Sequence, residues 1–152
     1  MTKRLFLRTA VALALAGTGG VALAQAAPFK IGLILPMTGQ QASTGRQIEA
    51  AARLWMAQNG AKVAGKTVEL IVKDDTGVAD TTRRLAQELV VNDKVVALAG
   101  FGLTPLALAA APVATQGKTP LVVMAAATSS ITEASPYIIR TSFTLPQAAI
   151  GI

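Results

Sequence analysis

The chain has 152 residues, of which 52% are hydrophobic and 14% charged, and it contains no cysteine and no histidine. This composition excludes an intrinsically disordered chain, which would need low hydrophobicity and high charge. It also removes the usual catalytic triads, disulfides and most metal sites. The net charge of +6 is scattered rather than clustered, so a nucleic-acid-binding surface is not expected.

The first two dozen residues have the pattern of a secretory signal peptide. Lys3, Arg4 and Arg8 form a basic region, an apolar run follows over 10–16, and the small-x-small triplet 22–24 suits a cleavage site. The run is too short and too interrupted by glycine to span a membrane, which takes about 20 residues. We therefore expect residues 1–24 to be removed and the mature protein, with three cations fewer, to work in the periplasm.

After the leader, predicted strands and helices alternate along the chain. The predicted strands are continuous apolar runs at 29–35, 67–73, 95–99, 120–124 and 137–140, and the predicted helices cover 44–59, 78–91 and 104–115. Thr44 and Gln47 are expected to form a capping box, and Gly60 to end the first helix. Apolar strands joined by helices predict parallel strands buried on both faces, and so a doubly wound α/β sheet.

Apolar residues at helical spacing predict which helix faces are buried. On the first helix these are Ile48, Ala51, Ala52, Trp55 and Met56, and on the second Leu85, Leu89 and Val90.

Ligands of doubly wound sheets bind beyond the carboxyl ends of the strands, and two loops there have suitable residues. The first, 100–105 (GFGLTP), has glycines that permit close backbone approach and Thr104 as a predicted N-cap, where free helix amides favour an anion. The second, 125–130 (AAATSS), offers space and hydroxyl groups. Adjacent strands would place the two loops side by side.

Other motifs are given ordinary structural interpretations. Residues 60–67 match the GxxxxGKT phosphate loop, but a helix precedes them and a strand follows, which reverses the required order. They are expected to form a turn opposite the ligand loops, with Lys62 and Lys66 solvated. Asp74 and Asp75 are adjacent, so their side chains diverge, and an Asx turn that caps the next helix is expected instead of an acid–base pair.

A series of segments resembles the periplasmic leucine/isoleucine/valine-binding proteins, type I solute-binding proteins of ABC transporters. The segments are KIGLILPMTGQQASTG (30–45), AQNG (57–60), VAGKTVELIVKDDTG (63–77), VVALAGFGLTPLALAAAPVA (95–114), TPLVVMAAATSSIT (119–132) and PYIIRTSFT (136–144). They follow the order and spacing of that family over nearly the whole mature chain.

The resemblance implies a two-lobed clamshell that holds an amino acid or a related small carboxylate or amide and presents it to an inner-membrane permease. It implies that Thr104 donates to a ligand carboxylate, that Gly102 and Leu103 line the pocket, and that the Ala126 carbonyl accepts from an ammonium. Ala127 and Thr128 would supply an amide and a hydroxyl. Thr44, in the loop after the first strand, is a further candidate ligand-binding residue, at a position where many relatives have an aromatic residue. The segment TSSIT is one residue shorter than the TxxxLT type of the branched-chain pattern, and relatives with this variation are often assigned to other small acids or amides.

The same resemblance implies the organisation of the chain: a signal peptide at 1–24, the N-terminal part of lobe I at 25–144, and the start of a crossover into a missing lobe II at 145–152. Thr144 and Gln147 are predicted to cap a helix there. No cofactor, metal or enzymatic activity is expected, and the complete protein is expected to be a monomer. A ligand-sensing domain of a receptor or regulator, built on the same clamshell, is the alternative.

Overall fold

The computed structural model describes residues 27–150, and the predicted signal peptide lies outside this range. Six strands, four α-helices and one 3₁₀ helix follow each other in this part of the chain. In chain order they are β1 (Phe29–Leu35), α1 (Ala42–Asn59), β2 (Lys62–Val63), β3 (Lys66–Asp74), α2 (Ala79–Val91), β4 (Ala97–Gly100), α3 (Thr104–Gly117), β5 (Leu121–Val123), the 3₁₀ helix (Ser129–Glu133), β6 (Ile138–Arg140) and α4 (Leu145–Ala149).

The strands form one sheet in the order β2-β3-β1-β4-β5-β6. All neighbouring pairs are parallel except the short β2–β3 pair. The order reverses at β1, because β3 lies on one side of it and β4 on the other. The predicted doubly wound α/β sheet is therefore confirmed, and its switch point lies between the loops that follow β1 and β4.

The two faces of the sheet are buried by different helices. Ile34, Leu98 and Leu121 belong to the larger cluster, under α2 and α3, while Leu33 and Leu35 belong to a smaller cluster that includes Ile48 of α1. The alternation of Leu33, Ile34 and Leu35 between clusters follows from the period of two along a strand. The prediction that Leu85, Leu89 and Val90 face inward is confirmed.

The first helix differs from its prediction in two ways. Its N-cap is Gln41 without a side-chain cap, and Thr44 donates to the Gln41 side chain over 3.5 Å, so no capping box forms with Gln47. Ala51 and Trp55 are exposed. The face of α1 with the least exposure runs instead through Gly45, which is buried, and Ile48, Ala52 and Met56, which are half-buried.

Gly45 explains where that face lies. A Cβ atom at this position would stand 2.2 Å from the carbonyl oxygen of Pro36, so only glycine lets the helix approach the end of β1. Gly45 therefore marks the side of α1 that meets the end of β1, while Trp55 is 56% exposed. The Thr144–Gln147 capping box at the start of α4 is present as predicted.

Segment 60–67, the apparent phosphate loop, forms a hairpin in place of a simple turn. β2 pairs antiparallel with β3 through Lys62↔Thr67 and Val63↔Lys66, and Gly65 has φ +78° between them. Lys62 is exposed as expected. Lys66 differs from the prediction of a solvated side chain, because it is half-buried and its Nζ lies 4.7 Å from the centre of the Phe29 ring, a cation–π contact.

Candidate functional site

The two predicted ligand loops follow neighbouring strands and are joined by backbone hydrogen bonds. β4 and β5 pair in parallel. Beyond their ends, the Met124 amide donates to the Gly100 carbonyl over 2.8 Å, and the Ala126 amide donates to the Phe101 carbonyl over 3.1 Å. The loops are therefore side by side at the carboxyl edge of the sheet, as the sequence predicts.

The conformation of the first loop depends on two residues with positive φ. Gly100 has φ +114°, and a Cβ there would stand 2.2 Å from the Ile34 carbonyl oxygen, so this position needs glycine. Phe101 has φ +64°, which is uncommon for an aromatic residue, and its side chain is fully buried. Burial of the ring compensates for the unfavourable backbone and fixes the direction in which residues 102–104 leave the sheet.

A hydrogen bond between two threonine side chains joins the loops at the site. Thr104 Oγ1 and Thr128 Oγ1 are 2.7 Å apart, and either can be the donor. The pair has two hydroxyl hydrogens and uses one internally, so the other is free for a ligand. Thr104 is the first residue of α3 and not its N-cap, which is Leu103 without a side-chain cap bond. The predicted capping role of Thr104 is wrong, and its hydroxyl is available for recognition.

A cavity of about 250 Å³ opens where the loops meet. It is lined by Gly102, Leu103, Thr104, Ala125, Ala126, Ala127, Thr128 and Leu145. Every predicted ligand-binding residue except Thr44 lies on this lining. Thr44 is in the first turn of α1, outside this cavity, so no observation connects it to the site.

Two carbonyl groups of the second loop accept hydrogen bonds from β6 and the residues that follow it. The Ala126 carbonyl accepts from Arg140 Nη1 over 3.0 Å and from Ser142 Oγ over 3.1 Å, and the Ala127 carbonyl accepts from the Leu145 amide over 3.0 Å. Both lone pairs of the Ala126 carbonyl are therefore in use. The role that the resemblance gave this carbonyl, accepting from a ligand ammonium, stays a prediction, and both of its observed donors belong to the protein.

Several backbone amides at the cavity have no acceptor in the protein. Among residues 27–150, the amides of Thr104, Ala127 and Thr128 donate to no other group. The Thr104 amide is free because it belongs to the first turn of a helix. Free amides at a helix start, together with one free hydroxyl hydrogen, suit an anionic oxygen such as a carboxylate.

Two further cavities lie outside this one. A cavity of about 210 Å³ is lined by Pro36, Thr38, Gln40, Gln41, Thr76, Gly77 and Leu103, so Leu103 separates it from the first. A larger cavity of about 680 Å³ includes Val91, Asn92 and Gly117, which lie where α2 and α3 end. Helix ends precede the next strands, so this larger cavity is at the amino edge of the sheet, away from the loops where ligands of such folds bind.

Asp74 and Asp75 form hydrogen bonds that hold the loops at the carboxyl edge of the sheet. The Asp74 carboxylate accepts from the Met37 amide, the Thr38 hydroxyl and the Thr76 amide at 2.8–2.9 Å, which ties the loop after β1 to the end of β3. Desolvation opposes ionisation of Asp74, but these hydrogen bonds outweigh it and lower its pKa. The bond to Thr76 confirms the predicted Asx turn.

Asp75 points the other way and is fully buried. It accepts from the Thr82 hydroxyl and the Gly77 amide, both over 3.0 Å. Burial raises the pKa of Asp75. The predicted capping of the next helix is not observed, because the N-cap of α2 is Val78 and has no side-chain cap bond.

Sequence reasoning missed Arg140, Ser142 and Leu145 as parts of the site. Arg140 and Ser142 lie on β6 and just after it, and Leu145 is the first residue of α4. Only the parallel β5–β6 pairing, in which Val123 is opposite Arg140, brings this segment next to the loop after β5. No local pattern in the sequence marks that contact.

The sheet order and the cavity between the loops after β4 and β5 are those of one lobe of a ligand-binding protein. Residues 28–151 match the family described as Periplasmic binding protein, and the chain belongs to that family. It is 46% identical over 125 residues to Leu/Ile/Val-binding protein homolog 6 of Brucella abortus (strain 2308), which covers 81% of this chain and 32% of that protein.

Solved structures extend the comparison. A solute-binding protein of an ABC transporter from Rhodopseudomonas palustris BisB5, in complex with 3,4-dihydroxybenzoic acid, is 65% identical with a TM-score of 0.78 and covers 79% of this chain and 33% of that one. Another from R. palustris HaA2, in complex with p-hydroxybenzoic acid, is 45% identical with a TM-score of 0.75, covering 82% and 35%.

A leucine-binding protein from Thermotoga maritima is 29% identical with a TM-score of 0.74 and covers 80% of this chain and 35% of that one. The chain thus spans about a third of the length of these relatives. In the part of the chain that the structure describes, no helix is both long enough and apolar enough to cross a membrane.

Proposed function

We propose that this chain is the ligand-binding part of a periplasmic solute-binding protein that delivers a small carboxylate to an ABC importer. We further propose that the carboxylate belongs to a hydroxybenzoate-type aromatic acid and not to an α-amino acid. The observation that carries the proposal is the Thr104–Thr128 hydroxyl pair, which stands beside free backbone amides in a cavity of about 250 Å³.

The electrostatic character of the cavity favours an anion. No charged side chain lines it within the described residues, so a carboxylate would be held by neutral donors: a hydroxyl of the threonine pair and the amides of Thr104, Ala127 and Thr128. Hydrogen bonds to a charged acceptor are stronger than those between neutral groups. Such an arrangement binds a carboxylate without burying an opposing charge.

Two carbonyls of the loop after β5 already have donors within the protein. The carbonyl of Ala126 has two donors, and that of Thr128 accepts from Arg140 and from the Ile131 amide. An amino-acid ligand would leave its ammonium without partners from these groups, which is costly in a desolvated cleft. The identities point the same way, because the relatives that hold hydroxybenzoates are 65% and 45% identical and the leucine-binding protein is 29% identical.

The remaining parts of the proposal concern the whole protein. Residues 1–24 act as an export signal, 25–144 form the first part of one lobe, and 145–152 lead toward a second lobe that closes over the ligand. Closure would present the loaded protein to an inner-membrane permease. The apolar, outward-facing Leu145 on the cavity lining, 60% exposed, suits a wall that a second lobe completes.

A branched-chain amino acid is the second candidate ligand, because the Brucella relatives carry the name Leu/Ile/Val-binding protein homolog. Titration calorimetry on the whole natural gene product, freed of endogenous ligand by unfolding and refolding, separates the two candidates. We expect 3,4-dihydroxybenzoate and 4-hydroxybenzoate to bind at micromolar concentration or below and leucine not to bind. Binding of leucine or isoleucine with neither benzoate would refute the aromatic-acid proposal and leave the transport role standing.

A further inference from the structure

Arg140 lies next to the ligand loop without lining the cavity. Its Nη1 donates to the Ala126 carbonyl over 3.0 Å and to the Phe143 carbonyl over 3.4 Å, and its Nη2 donates to the Thr128 carbonyl. One guanidinium group therefore bridges two carbonyls of the loop after β5 and one of the segment after β6. The planar fork of arginine is suited to such bridging, and the single ammonium of lysine is not.

The charge of Arg140 has no carboxylate partner. Within residues 27–150 the ion pairs involve Arg53, Lys73, Arg83 and Arg84, and none includes Arg140. The residue is half-buried, so its positive charge is met only by carbonyl dipoles. A half-buried cation at the edge of a cavity makes the electrostatic potential there more favourable for an anion.

The peptide geometry links Arg140 to the free amides. In a trans peptide the C=O of one residue and the N–H of the next point in opposite directions, and the described residues contain no cis peptide bond. When Arg140 holds the Ala126 carbonyl, the Ala127 N–H is directed away from Arg140. Its bond to the Thr128 carbonyl directs the Ser129 N–H in the same way.

We propose that Arg140 is a positioning residue for ligand binding, which fixes the peptide between Ala126 and Ala127 so that its N–H group is presented to the ligand carboxylate. The inference rests on the proposed function, because it assumes that the cavity binds a carboxylate. Arg140 acts through the loop and makes no contact with the ligand itself.

The first test compares two ligands that differ in charge. In the whole natural gene product, Arg140→Met and Arg140→Lys are titrated with 4-hydroxybenzoate and with its neutral amide, 4-hydroxybenzamide. Arg53→Met is the control, because it removes one cation from an exposed ion pair on α1. We expect Arg140→Met to weaken benzoate binding about tenfold to a hundredfold, the range for hydrogen bonds to a charged group, and benzamide binding less than threefold.

Arg140→Lys keeps the charge and loses the bridge, so its benzoate affinity should lie nearer to that of Arg140→Met than to that of the wild type. If Arg140→Met does not fold, the Arg140→Lys variant alone tests the proposal. Wild-type affinity for benzoate in a folded Arg140→Lys protein would overturn the proposal, as would an equal loss for both ligands.

A measurement without ligand keeps this inference separate from the proposed function. Amide hydrogen exchange by NMR in the free protein should show faster exchange, or displaced resonances, at Ala127 and Ser129 in both Arg140 variants, with α2 and α3 unchanged. If no carboxylate binds the wild type, the proposed function fails while this readout still reports on positioning. Unchanged amides at 127 and 129 would overturn the positioning role whatever the ligand.

Discussion

Replacing Thr104 by alanine tests the centre of the proposed site. The substitution removes one member of the 2.7 Å hydroxyl pair with Thr128 and, with it, a hydrogen bond to the ligand carboxylate. Net hydrogen bonds to charged groups contribute about 1.5–3 kcal/mol and neutral ones about 0.5–1.5 kcal/mol. The substitution removes a hydrogen bond to a charged group, while Thr128 keeps its own hydroxyl and can still donate, so we expect a loss of binding free energy of about 1–3 kcal/mol, or roughly fivefold to 150-fold in Kd.

The Thr104→Ala substitution should change the stability of the fold only slightly. The Thr104 hydroxyl caps no helix, and the side chain is only half-buried, so the free energy of unfolding should fall by less than about 1 kcal/mol. Binding is measured by calorimetry with 4-hydroxybenzoate, and unfolding by urea titration. Thr104→Ser, which retains the hydroxyl, is the matched control and should stay within about threefold of the wild type.

A double-mutant cycle with Thr128→Ala adds a test of the pair. Two residues that share one hydrogen bond and one ligand should show a coupling energy of about 0.5–3 kcal/mol. Wild-type affinity in Thr104→Ala, with the protein folded, would remove Thr104 from the site and refute this reasoning. A loss of affinity in Thr104→Ser as large as in Thr104→Ala would mean that the methyl group, not the hydroxyl, is what matters.

Three further predictions concern stability. Gly45→Ala should lower the free energy of unfolding, measured by urea titration, by about 1–3 kcal/mol, because the new Cβ would meet the Pro36 carbonyl oxygen at 2.2 Å. Helix propensity alone predicts a gain of about 1 kcal/mol, so a more stable variant would disprove the close contact. Ala50→Gly, at an exposed position of the same helix, is the reciprocal control. Burial raises the pKa of Asp75 above its ordinary 3.8. The stability that Asp75 contributes at low pH is therefore lost as the pH rises through its native pKa. Asp75→Asn should remove this loss from the pH profile of unfolding, and an unaltered profile would contradict the prediction. Asp74 has a lowered pKa, so the stability that it contributes is present above pH 3.8 and is lost as the pH falls through its native pKa. Asp74→Asn should make stability fall less steeply on the acid side of the same profile. An equally steep fall in the variant would contradict the stabilising role of the Asp74 carboxylate.

Local sequence patterns predicted most of the elements and where to look for a site. Strand β1 was predicted at its observed bounds, and the other predicted strands and the first three helices within a few residues, because continuous apolar runs and 3.6-residue spacing are properties of the chain itself. The short strand β2 was missed, because its segment was predicted to be a turn. The rule that ligands bind at the carboxyl ends of parallel strands then selected the loops containing Thr104 and Thr128.

Contacts between distant segments were decided only by the tertiary structure. Gly45 packs closely against the Pro36 carbonyl, which identifies the side of α1 that meets the end of β1. The spacing of apolar residues cannot encode such a distance between two elements. The engagement of the Ala126 carbonyl by Arg140 requires β5 and β6 to pair in one register. Residues 14 positions apart carry no mark of that register. The sequence therefore predicted a candidate ligand loop but could not say which of its polar groups are already bonded within the protein.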